Sequence, residues 1–496
     1  MIEKTIAEAI YYGSKHLGLK KEDEIYFTNL LLAYFGAKEP YEGEIDKAHI
    51  DSLKVPDEIV EEIISHFTEK GVETGEASRK ATYVMGILSP RPSEVDKTFF
   101  DLYQKDPREA TDYLYDLSIA NDYIAKSKVD KNELWNASFP DGSPLEISIN
   151  LSKPEKNNKD IAKLLKAPVT SSYPKCVLCK ENLGFEGSDH HPARENIRII
   201  PLMLQNERWY LQYSPYVYYH QHCILFYEKH VPMEISSWTM ACLFDFVDQF
   251  PHFFIGSNSD LPIVGGSILN HEHFQGGEHL LPLLLAKDRE IIPSHFKNTT
   301  ISIVDFYDTA LRLKGKDREE MLLIASLILE KWIHYNDPRH SIIAEDEEGR
   351  HNAITPLVRK QGDTYEMTII LRNNKCNEEY PDGIFHAHKE YHHIKKEGIG
   401  LIEAAGLFIL PARLKRQCKE VEDVIAKGYS EDEYLHLYPD LAIFKDMIQE
   451  MKEKKMTSQQ YISEVCRSIL GNVAVYKNTE QGREGLLHFL KEITND

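Results

Sequence analysis

Three polar side chains at alternate positions, His271, His273 and Gln275, are the residues of this sequence best suited to chemistry. On a β-strand, all three would project from one face, because side chains alternate between the two faces of a strand. An imidazole that attacks phosphorus forms a phosphoramidate, which divides one difficult displacement into two easier ones. The spacing therefore predicts a base or nucleophile beside a hydrogen-bond donor.

Glycine pairs stand on both sides of these residues, Gly265-Gly266 before them and Gly276-Gly277 after them. Glycine lets the backbone turn tightly and approach a ligand closely. The backbone N–H groups of such a frame, together with the Gln275 amide, are suited to holding phosphate oxygens. The competing interpretation is a surface strand with two solvated histidines, and the glycine frame and Gln275 argue against it.

A second group of reactive side chains begins with Cys176-Val177-Leu178-Cys179. A Cys-x-x-Cys pair is either redox-active or one half of a zinc site. His230, at the end of a strand-like run, and His271 are candidates for the other half. A set of two cysteines and two histidines is a closed tetrahedral site, which would tie this segment to the strand of His273. The alternative is a pair of free thiols.

The composition limits the class of protein and its partners. The chain has 496 residues, of which 42% are hydrophobic, enough for two or three folded domains. Its net charge of −21 argues against a nucleic-acid polymer or an anionic membrane as partner, since both need a basic surface. The sequence contains no signal peptide and no apolar run of the length that spans a membrane. Seven cysteines in a chain of this length are typical of cytosolic thiols, so we expect a cytoplasmic protein.

The elements that must position these residues follow from hydrophobic periodicity. Residues 1–170 read as a helical N-terminal region, and Lys166–Pro174, rich in Pro and Ser, reads as a linker. We expect a catalytic half over 171–285, a second half over 286–430 that repeats its plan weakly, and a helical C-terminal segment over 431–496.

The second half is predicted to contain helices around Val304–Leu313 and Glu319–Tyr335 and a strand over Met367–Arg372. A further strand is predicted over Gly383–His388, which carries a second His-x-His pattern, His386 and His388, without the glutamine. Because a phosphate clamp is missing there, this copy is expected to serve structure.

The run from Gly265 to Gly277 resembles the active-site motif of the galactose-1-phosphate uridylyltransferases, in the histidine-triad superfamily. It is more similar to their second class, which has a long N-terminal extension and the segment His351-Asn352-Ala353-Ile354-Thr355-Pro356. The first class has Pro and Gly where this chain has Glu272 and Phe274, both on the opposite face of the predicted strand. The resemblance extends over about residues 80–415. It implies an α+β fold with two histidine-triad-like antiparallel sheet halves and packed helices, after a helical N-terminal region.

The resemblance also implies an activity in galactose metabolism, the exchange of a uridylyl group between UDP-glucose and galactose 1-phosphate. His273 would attack the α-phosphorus, release glucose 1-phosphate and hold UMP covalently, and galactose 1-phosphate would then take the UMP in a ping-pong mechanism. Gln275 would steady the transferred group. In the family the second half supplies sugar contacts across a dimer, so the resemblance implies a homodimer, in which the second half and the partner could keep water from the adduct.

The family's functional positions correspond to particular residues of this chain. The matching zinc ligands are Cys176, Cys179, His230 and His271. The matching substrate-binding residues are Asn258, Gly265, Gly266, Ser267 and Glu403. A second metal, such as iron, would be bound by His351, His386 and His388, with Asp288 or Glu290 as candidates for an acidic ligand. The alternative for these histidines is a hydrogen-bonded cluster without metal.

Two other functions compete with uridylyl transfer. A nucleotide hydrolase or phosphorylase of the same superfamily would share the His-x-His strand, but such enzymes usually need a single module. A non-catalytic zinc protein would use the Cys and His residues to organise an interaction surface. In that protein Gln275 and the glycine frame would have no purpose.

Overall fold

The computed structural model describes residues 2–140, 142–151 and 172–494. It combines helices with mainly antiparallel sheets, which confirms the predicted α+β class. The described residues form two compact units. The first unit lies within Met1–Lys131, Pro154–Val217 and Gln221–His230, and the second within Asn132–Lys153, Tyr218–His220 and Val231–Asp496.

The first unit begins with a series of helices. They are α1 (Ile2–His16), α2 (Glu24–Phe35), α3 (Lys47–Ser52), α4 (Asp57–Glu69), α5 (Thr74–Leu88), α6 (Pro92–Tyr103), α7 (Pro107–Ala120) and α8 (Lys126–Val129). The apolar stripe of α4 is buried as its periodicity predicts, with Ile59 and Ile63 inside. The Asp106 side chain accepts a hydrogen bond from Arg108 N, and Pro107 occupies the first turn, so α7 starts where a cap and a proline favour it.

Strands β3 (Ile200–Leu204), β4 (Glu207–Tyr213) and β5 (Cys223–Tyr227) complete the first unit. They pair in antiparallel register, with Trp209 opposite Tyr227. Trp209, Leu211 and Tyr213 alternate along β4 and are buried, which fixes the face that β4 turns to the core.

The second unit contains a larger antiparallel sheet. Its strands, in the order in which they pair, are β7 (His273–Gly277), β6 (Phe254–Gly256), β13 (Asn352–Gln361), β14 (Thr364–Asn373), β10 (Ala310–Gly315), β9 (Thr299–Val304) and β8 (Asp288–Ile292). The predicted strand Met367–Arg372 lies within β14 and is confirmed. A short hairpin, β11 (Glu345–Asp346) and β12 (Gly349–Arg350), precedes β13.

A smaller sheet in the second unit joins β1 (Glu133–Phe139), β2 (Gly142–Asn150) and β15 (Leu407–Pro411). Strands β2 and β15 are parallel, and their buried residues, Ile147 and Phe408 among them, belong to a core shared with the C-terminal helices.

The helices of the second unit pack around these sheets. They are α9 (Ser237–Gln249), α10 (Pro282–Leu285), α11 (Arg318–Ile333), α12 (Leu401–Ala404), α13 (Arg413–Lys427), α14 (Glu431–Leu437), α15 (Lys445–Lys454), α16 (Ser458–Val473) and α17 (Glu480–Thr494). Helix α11 confirms the helix predicted around Glu319–Tyr335.

Two secondary-structure predictions are wrong. Residues 133–150, predicted to be helical, form β1 and β2, and the helix predicted around Val304–Leu313 is replaced by the end of β9 and by β10. Strands β2 and β10 bury consecutive side chains, so both faces are covered, and a short run of this kind cannot be told from a buried helix by its periodicity.

Most of the predicted linker Lys166–Pro174 lies outside the described residues. The two units divide the chain at other places than the predicted boundaries at 170, 285 and 430, which stay a prediction. Within the described part of the chain, every helix is too short or too polar to cross a bilayer.

Candidate active site

The strand that carries the proposed nucleophile is shorter than its sequence predicts. Strand β7 begins at His273 and ends at Gly277, whereas residues 265–272 form turns and irregular backbone. The predicted strand is therefore wrong before His273. His273 and Gln275 share one face of β7, but His271 belongs to the loop that leads into it.

His273 is held in one orientation by the backbone. Its side chain is buried, with 5% of the residue exposed, and its Nδ1 lies 2.8 Å from the carbonyl oxygen of His271. A carbonyl only accepts, so Nδ1 carries the proton and donates it, and Nε2 keeps its lone pair. Burial lowers the pKa of His273 to about 4, against the opposing effect of this hydrogen bond. The arrangement presents a neutral imidazole with a free nucleophilic nitrogen.

Asn258 lies two residues beyond the end of β6, whose last residue, Gly256, lies opposite Gln275 on β7. The chain beyond β6 is fixed by Ser257 N, which donates to the Pro356 carbonyl (3.0 Å). Asn258 itself is buried, with 2% of the residue exposed.

Gly265 and Gly266 are required by close packing of the loop that precedes His271. A Cβ on Gly265 would lie 2.4 Å from the carbonyl oxygen of Ser259, and one on Gly266 would lie 2.8 Å from Asn258 Nδ2. Any larger residue would thus displace the backbone or the Asn258 amide. Ser267, by contrast, is exposed.

Asn258 and Glu403 meet at Gly400. Leu401 N donates to Asn258 Oδ1 (2.8 Å), and a Cβ on Gly400 would lie 3.0 Å from that oxygen and 3.6 Å from Glu403 Oε2. The other Glu403 oxygen accepts from Lys395 Nζ (3.1 Å), which is buried. The structure therefore brings together Asn258, Gly266 and Glu403. The two of them that are farthest apart in the sequence, Asn258 and Glu403, are separated by 145 positions.

Glu272 is a buried residue that the sequence interpretation left without a role. Its Oε2 accepts from Glu234 N (2.9 Å), and its backbone N donates to the Val231 carbonyl (2.8 Å). Burial raises the pKa of Glu272 to about 8. These contacts hold the start of β7 against the segment that precedes α9. In the sequence, the position of this carboxyl group between His271 and His273 was the signal that could have identified Glu272.

The cysteine pair forms a compact cluster with His230 in the first unit. Cys176 Sγ and Cys179 Sγ are 3.6 Å apart, and Cys179 Sγ is 3.2 Å from His230 Nδ1. Two sulfurs bound tetrahedrally at about 2.3 Å from zinc would be separated by about 3.8 Å, so the donor types and spacing fit this metal. Asn182 Nδ2 donates to the carbonyls of Cys176 and Cys179 and shapes the turn between them.

This Cys/His cluster could hold a metal ion. Burial raises the pKa of the Cys179 thiol to about 11, so a metal would have to displace its proton. His271, the fourth predicted ligand, is buried in the second unit.

The three histidines of the predicted second metal site have different surroundings. The ligand atoms that gather with His351 in the described chain are those of Asp346 and Glu348, and neither His386 nor His388 joins them. His386 is buried without a hydrogen-bond partner, and His388 Nε2 lies 3.0 Å from the Ile384 carbonyl.

The acidic candidates Asp288 and Glu290 are engaged elsewhere. Asp288 pairs with Arg312 (2.9 Å), and Glu290 pairs with Arg483 (2.8 Å). His351 has Asp346 and Glu348 as neighbours instead. The acidic run that contains them, just before His351 in the sequence, was the signal that could have predicted this.

Two family descriptions match this chain. Residues 20–232 match "Galactose-1-phosphate uridyl transferase, N-terminal domain" and residues 246–438 match "Galactose-1-phosphate uridyl transferase, C-terminal domain". A galactose-1-phosphate uridylyltransferase of Caldanaerobacter subterraneus subsp. tengcongensis is 42% identical over 501 residues, which cover 96% of this chain and 95% of that protein. The protein of the same name from Bacillus subtilis is 38% identical and covers 98% of this chain and 97% of its own length.

Among solved structures, yeast Ap4A phosphorylase Apa2 is similar at 12% identity, with a TM-score of 0.33, over 60% of this chain and 86% of that one. A score of this size supports no conclusion about function.

Proposed function

Because this chain belongs to the galactose-1-phosphate uridylyltransferase family, we propose that it transfers a uridylyl group from UDP-glucose to galactose 1-phosphate. The products are UDP-galactose and glucose 1-phosphate, and the enzyme is a nucleotidyltransferase. The observation that carries the mechanism is the hydrogen bond from His273 Nδ1 to the His271 carbonyl (2.8 Å), which leaves Nε2 as the nucleophile.

The reaction takes place in two displacements at the α-phosphorus. In the first, the Nε2 lone pair of His273 forms a bond to phosphorus, and the bond to the oxygen of glucose 1-phosphate breaks. In the second, a phosphate oxygen of galactose 1-phosphate attacks, and the phosphorus–nitrogen bond breaks, which restores the imidazole. The acceptor oxygen is already anionic near neutral pH, so no general base is required for it.

Residues around β7 hold the reacting group. Gln275, on the same strand face as His273, donates to the phosphoryl oxygens as charge develops on them. Ser267 and the backbone N–H groups of Gly265 and Gly266 bind the phosphates. Asn258 and Glu403 bind the sugar or nucleotide, since both lie at the loop of Gly400.

Zinc is bound by Cys176, Cys179, His230 and His271. The support is the fit of the thiol and imidazole spacing to tetrahedral zinc, and the resemblance that supplies His271 as fourth ligand. A closed zinc site contributes structure, so its role is to position the loop before His273 and not to take part in transfer.

The molecule that accepts UMP from His273 distinguishes this function from that of a nucleotide hydrolase or phosphorylase. A transferase must keep water from its covalent adduct. A second subunit would contribute to that cover, and we therefore propose a homodimer.

The test is to incubate the protein with UDP-glucose carrying ³²P at the α-phosphorus. We expect label on His273, and release of that label as UDP-galactose when galactose 1-phosphate is added. Label that leaves as UMP at the same rate with or without the acceptor would assign the protein to the hydrolases. Absence of label under single-turnover conditions, with transfer still observed, would exclude the covalent route.

A further inference from the structure

A short segment of the second unit, residues 231–235, lies against the irregular chain that precedes His273. Its last three N–H groups are consecutive, and each donates to a different acceptor within residues 257–272. Met233 N donates to the Leu269 carbonyl (2.9 Å), Glu234 N to Glu272 Oε2 (2.9 Å) and Ile235 N to Asp260 Oδ2 (3.2 Å). We call residues 231–235 the anchor segment, since they hold the chain before His273 at these three points.

The anchor segment is itself attached to the start of α9. The Glu234 carbonyl accepts from Thr239 Oγ1 (2.7 Å), and Ser236 caps the helix by accepting from Thr239 N (3.4 Å). Helix α9 has 13 residues and buries Met240 and Phe244 in the core. The segment therefore offers a fixed support against which the start of β7 is held.

The peptide unit between His271 and Glu272 connects the anchor segment to the imidazole of His273. Its N–H, from Glu272, donates to the Val231 carbonyl (2.8 Å), and its C=O, from His271, accepts from His273 Nδ1 (2.8 Å). A trans peptide unit is planar, so its N–H and C=O point in opposite directions. The bond that holds the N–H against the anchor segment therefore also sets the direction of the carbonyl that holds the imidazole.

The Glu272 side chain adds a second bond at the same place. Its Oε2 accepts from Glu234 N, three residues after Val231, so the backbone and the side chain of Glu272 contact the anchor segment at two points. Two bonds from one residue oppose a rotation of the peptide unit that a single bond would permit. Glu272 is 2% exposed, so the surrounding protein confines the side chain to this position.

We propose that Glu272 is a positioning residue for uridylyl transfer, which holds the His271–Glu272 peptide unit so that the His273 ring presents Nε2 to the α-phosphorus. This inference rests on the proposed function, because it assigns Glu272 a part in the attack by His273. The role requires an acceptor oxygen and not a negative charge, since the partner is a backbone N–H. Alignment matters for the rate, because a displacement of about 1 Å can slow a reaction by about 10²-fold.

The test compares Glu272→Met with Glu272→Gln in single-turnover labelling by UDP-glucose that carries ³²P at the α-phosphorus. Methionine has a similar length but only a weak sulfur acceptor, whereas the amide oxygen of glutamine can accept from Glu234 N. We expect Glu272→Met to be labelled about 10²-fold more slowly than the wild type. Glu272→Gln should be labelled within about threefold of the wild-type rate, because it keeps the acceptor.

Binding of UDP-glucose separates positioning from substrate contact. Its dissociation constant, measured by equilibrium dialysis, should stay within about twofold of the wild-type value in both variants, since Glu272 acts through His273. A dissociation constant that rises as far as the labelling rate falls would place Glu272 at the substrate and overturn the proposal.

Glu366→Gln is the matched control for a general loss of stability. Glu366 is also a buried glutamate of the second unit, but its carboxylate pairs with Arg359 (2.8 Å). Loss of this buried charge should lower the thermal transition in calorimetry and leave the labelling rate within about twofold of the wild type. A loss of rate in Glu366→Gln as large as in Glu272→Met would overturn the proposal.

The two glutamate variants decide the remaining outcomes. Labelling of Glu272→Met at the wild-type rate would overturn the proposal, and so would an equal loss of rate in Glu272→Met and Glu272→Gln. If Glu272→Met does not fold, Glu272→Gln decides, and a labelling rate more than about tenfold below the wild type would overturn the proposal.

Hydrogen exchange tests the positioning without any activity. Wild-type protein that takes no label would contradict the proposed function, and exchange of the amides of residues 270–277 would then decide this inference. We expect exchange at least about tenfold faster in Glu272→Met than in Glu272→Gln, because the start of β7 is held by one bond fewer. Equal exchange rates in the two variants would overturn the inference.

Discussion

The chain contains the His-x-His pattern twice, and the two copies have different structures. In the first copy, His273 lies on β7 and donates its Nδ1 proton to a backbone carbonyl, which leaves Nε2 available. In the second copy, His386 and His388 lie in turns and irregular backbone, so the strand predicted over Gly383–His388 is wrong. The pattern of residue types is the same, but of the two copies only the first holds an imidazole ring against a backbone carbonyl with its Nε2 available.

Strand pairing accounts for the difference. Residues of β7 pair with β6, with Gly276 opposite Ile255 and Gly277 opposite Phe254. A Cβ on Gly276 would lie 2.3 Å from the Phe254 carbonyl oxygen, so a glycine is needed for the two strands to approach. The second copy is preceded by Gly383, at φ +121°, where the chain turns.

The environment of the second copy also differs. His388 stacks on Tyr380, with ring centroids 4.2 Å apart, and burial together with the charge of Arg372 lowers the pKa of His386 to about 4. A buried neutral histidine and a stacked histidine are typical of packing. In this chain, a paired strand and a backbone acceptor orient one ring of the first His-x-His pattern, and the second pattern lacks the paired strand.

The largest effect is expected from removal of the proposed nucleophile. His273→Ala should lower uridylyl transfer by about 10⁴-fold or more and abolish ³²P labelling, since no other group replaces the covalent route. His388→Ala, at the corresponding position of the second copy, should still accept the label. Single-turnover labelling with matched circular-dichroism spectra measures both. Loss of label in both His273→Ala and His388→Ala would contradict the proposed difference between the two copies.

A smaller effect is expected at Gln275, which lies two positions after His273 in the first copy. Gln275→Ala should lower kcat by about 10²–10³-fold, as expected for one donor to a developing negative charge. The corresponding residue of the second copy is Glu390, with 61% of its side chain exposed. Because Glu390→Ala is a surface substitution away from the site, it should leave kcat within about twofold of the wild-type value. Steady-state rates at saturating substrate decide this. An unchanged kcat in Gln275→Ala would remove the amide from the mechanism.

Loss of the proposed zinc ligands should affect stability more than chemistry. Cys176→Ser should bind less than one zinc per chain, and its first thermal transition should fall by at least about 5 °C, because a closed site couples metal binding to folding. Cys376→Ser replaces a half-buried cysteine outside the cluster and should retain its zinc. Elemental analysis and calorimetry provide the measurements. A metal-free wild-type protein with full stability would contradict the zinc proposal.

The smallest effect is expected from the residue that joins β6 to the loop of Glu403. Asn258→Ala leaves the Leu401 N–H without its acceptor, at a cost of about 1–3 kcal/mol, and removes a proposed substrate contact. We expect KM for UDP-glucose to rise by about tenfold with a smaller change in kcat. Asn270→Ala, an exposed asparagine of the same region, is the control and should retain the wild-type KM. If Asn258→Ala and Asn270→Ala had equal KM values, Asn258 would have no role in substrate binding.

Much of the site was predictable because the signals are local. The motif from Gly265 to Gly277 carries its own chemistry, and the family that it implied is confirmed by the matches over residues 20–232 and 246–438. The Cys-x-x-Cys spacing similarly predicted a cluster that includes His230. The capped helix α9, with Ser236 accepting from Thr239 N, follows from residues within one turn.

The sequence by itself determined the residue types that can react, the family and the α+β class. Only the tertiary structure decided that β7 begins at His273, that His271 O is the acceptor for His273 Nδ1, and that His351 faces Asp346 and not His386. The physical reason is that these outcomes depend on contacts between distant segments. A strand forms where another segment pairs with it, and the orientation of a histidine depends on the group that its second ring nitrogen contacts.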